Sequence, residues 1–176
     1  MKEKRNYILC FKSVGRIKYF LVIRFSMGDL CCMGDAFFIK ASDSETLDDV
    51  VRYYRASVRS YLGLARVLPV EEKVVLMYNA ALTCQEYIDH LRPFDGVEGV
   101  ISSIRNSLET LCLNGMKIAA GELKGLYNLL LSENYDEQGE LILARKHLKA
   151  AKRLIPRGSE DFRTVQQLET KLIPKG

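Results

Sequence analysis

From Ser42 onward apolar residues recur at steps of three and four, the period of helices that each bury one face. Leu47, Val50, Val51, Tyr54, Val58, Tyr61, Leu62 and Ala65 form the first such row, behind a capping box predicted at Ser42 and Glu45. Pro69 marks the break after it, since proline is tolerated only in the first turn of a following helix. The second row opens with Glu71 and Glu72 and runs through Val74, Val75, Leu76, Met77, Tyr78, Leu82, Tyr87 and Ile88. It is apolar on most faces, so this helix should be the most buried.

Arg92-Pro93-Phe94-Asp95-Gly96 ends that helix, and a third is predicted from about Val97 to Leu113, with Val100, Ile101, Ile104, Leu108 and Leu111 on one face. Asn114-Gly115 reads as its stop, the alternative being a straight run into the next segment. The fourth carries Met116, Ala119, Leu123, Leu126, Tyr127 and Leu130, with Gly121 and Gly125 letting a neighbour approach closely. The fifth shows Leu141, Ala144, Leu148, Ala151 and Ile155, ends at Pro156, and carries its cations near its C-terminal end. Ser159 caps a weak last helix with Phe162, Val165, Leu168 and Leu172.

Nothing in this body alternates at period two, so the expected fold class is all-α. Short connections predict an antiparallel up-and-down bundle of about five helices over residues 42–155, with 156–176 as a tail or short helix. No repeat of about 34 or 40 residues argues for a tandem array, although Ala144 to Leu154 has a tetratricopeptide-like spacing.

Residues 1–34 stand apart as an N-terminal extension. One reading is a β-hairpin with Lys12-Ser13-Val14-Gly15-Arg16 as the turn between Tyr7–Phe11 and Ile17–Phe25. The other, which the composition favours, is a translation start at Met27 or Met33. Lys12, Arg16, Lys18 and Arg24 interrupt the apolar runs well short of a bilayer span, so no membrane insertion is expected. The segment also lacks the unbroken apolar stretch and cleavage site of a secretory signal.

The chain is 176 residues long, and its formal charge of +4 comes from 26 Lys+Arg against 22 Asp+Glu. Seven of those basic residues and one acid lie in residues 1–27, which leaves 19 basic against 21 acidic residues in the body. The body is therefore slightly acidic, and no nucleic-acid partner is expected. Five cysteines, no CxxC pair and only two histidines indicate neither a disulfide framework nor a zinc site. A reduced, cytoplasmic protein is expected.

No G-x-G-x-x-G and no G-x-x-x-x-G-K-[ST] occurs. His90 and His147 lack a partner at catalytic spacing and read as surface histidines. Glu86 and His90 make only one carboxylate–histidine pair, too few for a di-iron bundle, and Arg145 and His147 are two apart and point in different directions. Cys84 and Cys112 read as buried, inert thiols. Neither an enzymatic activity nor a cofactor or metal is expected. Tyr53, Tyr54, Tyr61, Tyr78, Tyr87 and Tyr127 read mostly as inter-helix packing, and alternatively as the lining of a groove for a partner helix.

Val74-Val75-Leu76-Met77-Tyr78-Asn79-Ala80-Ala81-Leu82 resembles the second helix of the FliS family of flagellin export chaperones, whose pattern is close to Leu-Met-Leu-Tyr-Asp-Gly-Ala-Ile. Pro69, Glu71, Glu72 and Lys73 stand where that family has a Ser-Pro-Glu-Lys-type start. Ile101 to Leu111 is similar to its third helix, and Leu123-Lys124-Gly125-Leu126-Tyr127-Asn128 to its Leu-x-x-Leu-Tyr-Asp signature. The likeness covers about residues 46–155. Asn replaces Asp twice, Ala80 replaces glycine, and no tryptophan closes the fifth helix.

The resemblance implies a chaperone that binds the disordered C-terminal segment of flagellin, prevents its premature polymerisation and assists flagellar type III secretion, with flagellar export gate components as further partners. It implies a flagellin groove formed by Tyr54, Val75, Tyr78, Asn79, Leu82, Ile104, Leu108, Leu126 and Tyr127. An N-terminal segment reaching Tyr53 and Tyr54 would cover that groove when empty. The alternative function is a generic helical adaptor, or a chaperone of another secretion system, that binds an amphipathic helix.

Overall fold

The computed structural model describes residues 8–14, 17–23 and 28–172. It divides the chain into two compact units, Met1–Val97 and Glu98–Gly176. The body has the expected all-α class, and the division falls inside the stretch 42–155 that the periodicity assigned to one bundle. Each unit is built from consecutive antiparallel helices.

In the first unit β1 (Ile8–Val14) pairs antiparallel with β2 (Ile17–Ile23), Phe11 opposite Phe20 and Val14 opposite Ile17. This is the hairpin reading of the extension, with one correction: Lys12, Ser13 and Val14 belong to the strand rather than to the turn. Three helices follow, α1 (Gly28–Ser42), α2 (Leu47–Ala65) and α3 (Val70–Leu91).

The periodicity gave no sign of α1, because Gly28, Gly34 and the paired Cys31-Cys32 dilute its apolar face. That face exists, with Phe38 and Ala41 buried. The helix runs antiparallel to α2: the Ser57 hydroxyl donates to the Gly34 carbonyl at 2.8 Å, the Tyr61 hydroxyl donates to Asp35, and Phe38 lies edge-on to Tyr54 at 5.7 Å. Ser42 is thereby the last residue of α1, its hydroxyl donating to the Phe38 carbonyl at 3.1 Å. The cap of α2 is Thr46 instead, whose side chain accepts the Asp49 N–H at 3.3 Å.

α3 starts after Pro69 with Glu71 and Glu72 in its first turn, where the helix dipole favours carboxylates. Its side chains are buried on most faces, as expected, including Val74, Leu76, Ala81, Cys84, Ile88 and Leu91. Each fully buried aliphatic contributes about 1.5–3 kcal/mol relative to leaving it in water.

The second unit comprises α4 (Glu98–Ile118), α5 (Gly121–Glu137), α6 (Leu141–Leu154) and α7 (Glu160–Leu172). Asn114-Gly115 does not stop α4; the helix continues to Ile118, and the Ala119 N–H still donates to the Gly115 carbonyl at 2.8 Å. Gly115 serves packing instead, because a Cβ there would overlap the ring of Tyr127, which is fully buried. Gly125 does the same on the other side of α5, where a Cβ would come within 2.8 Å of Ile155.

Cross-links run in antiparallel register through the unit. Arg105 donates to the Asn134 carbonyl at 3.2 Å, Ser132 to the Ala144 carbonyl at 2.8 Å, and Arg145 to the Leu172 carbonyl at 2.8 Å. α7 is capped by Ser159, whose hydroxyl accepts the Phe162 N–H at 3.2 Å. No described helix is long and apolar enough to cross a membrane.

Candidate functional site

The nine residues expected to line a groove fall in both units. Tyr54 lies on α2 and Val75, Tyr78, Asn79 and Leu82 on α3, while Ile104 and Leu108 lie on α4 and Leu126 and Tyr127 on α5. Six of them are core: Tyr54, Tyr78, Ile104, Leu108, Leu126 and Tyr127 are at most 8% exposed. Side chains so enclosed touch a partner only after their helices move. Sequence spacing cannot separate groove from core here, because both put apolar residues at steps of three and four.

Val75, Asn79 and Leu82 differ from the rest in being half-buried. At steps of four and three they form one stripe along α3, and the next position on that stripe is Glu86, also half-buried. The result is a row of two aliphatics, an amide and a carboxyl about 16 Å long. Burial pushes the Glu86 carboxyl up to about 7, with Asp89 adding to the effect. A half-buried carboxyl that still holds its proton in part near pH 7 can donate as well as accept a hydrogen bond.

This shift has a definite sign. Glu86 binds its proton more tightly in the folded state, so its contribution to stability is fully present below about pH 4.5 and is lost as the pH rises through about 7. Glu86→Gln is expected to flatten the stability curve across that window, gaining on the order of 2 kcal/mol at its upper end after allowance for partial exposure. Urea unfolding at a series of pH values checks this; parallel curves for the two proteins would refute it.

Above Glu86 on α3 stands an aromatic cluster. Tyr54 stacks on Tyr87 with centroids 4.9 Å apart and meets His90 edge-on at 5.9 Å. Burial pushes the Tyr54 hydroxyl up to about 12, partly countered by a hydrogen bond with Ser42. His90 is thus packed against a ring, not free on the surface. Cys84 is buried and its thiol is pushed up to about 12, which makes it the inert thiol expected.

His147 also departs from a surface reading. It is half-buried on α6, stacked on Tyr135 at 5.5 Å, with Nδ1 2.9 Å from the Asn128 Oδ1. The Asn128 amide nitrogen donates to the Lys124 carbonyl at 2.8 Å, so its oxygen faces the imidazole and Nδ1 carries the proton. Burial, then Lys146, lower the His147 pKa, and the ring is neutral at pH 7. Tyr135 donates to Glu109 at 2.7 Å, so the carboxylate's hydrogen bond goes to the phenol rather than to the imidazole. The signal for this network was Asn128 and Tyr135 seven apart on α5, two turns along one face.

The network ties three helices together. Among the described residues no group of three or more His, Cys, Asp or Glu is placed to hold a metal ion. The arrangement best suits non-covalent binding along α3, where the half-open stripe supplies apolar contact from Val75 and Leu82 and a half-buried carboxyl at Glu86. Comparison with known proteins finds no matching family model, no matching curated protein and no matching solved structure.

Proposed function

We propose that the protein is a non-enzymatic cytoplasmic export chaperone that holds the disordered C-terminal segment of flagellin and assists flagellar type III secretion. The observation that carries this reading is the stripe Val75, Asn79, Leu82 on α3, half-open on a helix whose other apolar side chains are mostly buried. It lies inside the segment Val74–Leu82 that resembles the FliS family's second helix. A client helix laid along it would cover about three turns, and its ordering cost requires further contacts elsewhere.

Calorimetry of the full chain with the C-terminal peptide of flagellin from the same organism tests the proposal. Binding is expected, and Val75→Asp and Leu82→Asp are each expected to weaken it about tenfold. No binding by the unmodified chain removes the chaperone reading. Full binding by both variants removes α3 as the surface.

A second reading, a helical adaptor for another amphipathic partner, is favoured by the α5–α6 pair. Leu131-Ser132-x-x-Tyr135, Ala144-x-x-x-Leu148 and Pro156 follow the spacing of a tetratricopeptide-type hairpin. Leu131, Ser132, Tyr135, Ala144 and Leu148 are all buried. A single hairpin of this kind is a scaffold whose outer faces are available to partners.

A further inference from the structure

The slight acidity of the body conceals an uneven distribution. Residues 28–97 carry 11 acidic against 7 basic residues, and residues 98–176 carry 12 basic against 10 acidic. Within 141–157 there are six cations and no acid. Two of these are engaged, Arg145 on the Leu172 carbonyl and Lys152 with Glu169 at 2.6 Å, and a third, Arg157, lies beyond the end of the helix.

Lys146, Lys149 and Arg153 are exposed and have no ion pair among the described residues. With Ile142, which is 84% exposed, they sit at steps of four, three and four. At 100° per residue the four side chains occupy an arc of about 60°, opposite the buried Ala144, Leu148 and Ala151, over about 16 Å of helix.

A solvated helix face ordinarily mixes signs; on α2 Arg52, Arg55 and Arg59 stand at the same spacing as the α6 cations but follow Asp48 one turn before. Here like charges stand at i,i+3 and i,i+4, which costs the isolated helix a few tenths of a kcal/mol per pair. A branched aliphatic is left in water at the end of the same row. None of the four contributes to the core, so the fold does not require them.

We propose that this face of α6 docks an acidic amphipathic helix of a partner protein, three carboxylates lying on Lys146, Lys149 and Arg153 and one apolar side chain on Ile142. The extent of the row selects this occupant. The cations span only about 10 Å, and Glu140, exposed at the α5–α6 turn, bounds the row at its N-terminal end. A nucleic-acid backbone would run well past so short a row, and one aliphatic is too little to insert into a membrane surface. The proposal is independent of the chaperone reading and uses a different helix.

The test uses the full chain and a helix-forming peptide with Glu at i, i+3 and i+7 and Leu one turn before the first Glu. Saturable binding is expected, weakening about tenfold when Lys146 and Lys149 are both changed to Glu, and weakening on raising salt from about 50 to about 300 mM. Ile142→Ser is expected to weaken the salt-resistant part. Because the three positions are exposed, an unchanged melting curve shows that these variants fold. A peptide of the same composition with the Glu positions scrambled, a DNA duplex, or phosphatidylserine vesicles binding as well as the ordered peptide would overturn the proposal. So would full binding by the doubly substituted protein.

Discussion

Gly115→Ala is expected to destabilise the second unit by about 3 kcal/mol, a sign opposite to that of the usual substitution. A glycine inside a helix replaced by alanine ordinarily gains about 1 kcal/mol of propensity. At this position the added methyl would enter the space of the Tyr127 ring, and Tyr127 is 0% exposed, so the ring has nowhere to turn. Either α4 moves off α5 or the ring leaves its rotamer, and both disturb a close-packed interior. Urea denaturation reads the effect directly. In the double variant Gly115→Ala, Tyr127→Leu the loss should be smaller than the sum of the two single losses, because the methyl then occupies space the ring gave up. A neutral or stabilising Gly115→Ala would show that the two helices do not approach as closely as described.

Tyr54→Ala should cost the first unit about 4 kcal/mol, the range for a large buried aromatic. Its ring is 1% exposed and is held by Phe38 from α1 and by Tyr87 and His90 from α3, so the deletion opens a cavity touching all three helices. Thermal unfolding of this unit should shift down by about 15 °C or more. Tyr54→Phe keeps the ring contacts and loses only the hydroxyl's bond to Ser42, for about 1 kcal/mol. Equal losses in the two variants would mean that the hydroxyl, and not the stack, holds the cluster.

Helices α2 to α7 were legible in the sequence because each has a row of apolar residues at steps of three and four and recognisable ends, such as Pro69, Pro156 and Ser159. α1 was not, since half of its apolar residues are small or sulfur-bearing and its glycines look like breakers. Its burial is settled by contacts with α2 more than twenty residues away, which no local pattern contains. Asn114-Gly115 misled for a related reason: a glycine that ends a helix and one that admits an aromatic ring look alike until the ring is placed. The groove was the least legible part. Tyr54, Leu108 and Tyr127 have the chemistry of a binding surface and the position of a core, and only burial separates the two. The charged face of α6 was in plain view, yet a net charge taken over the whole body cancelled it.

Within each unit the helices pack chiefly on their neighbours in sequence. Chains whose contacts are local close few long loops and fold fast. They also fold in the order in which they are made. Everything the first unit needs has been synthesised once Val97 has been added, while all four helices of the second are still to come. A defect such as Tyr54→Ala would therefore be met on the ribosome, by a half-made chain with its apolar helix faces in water.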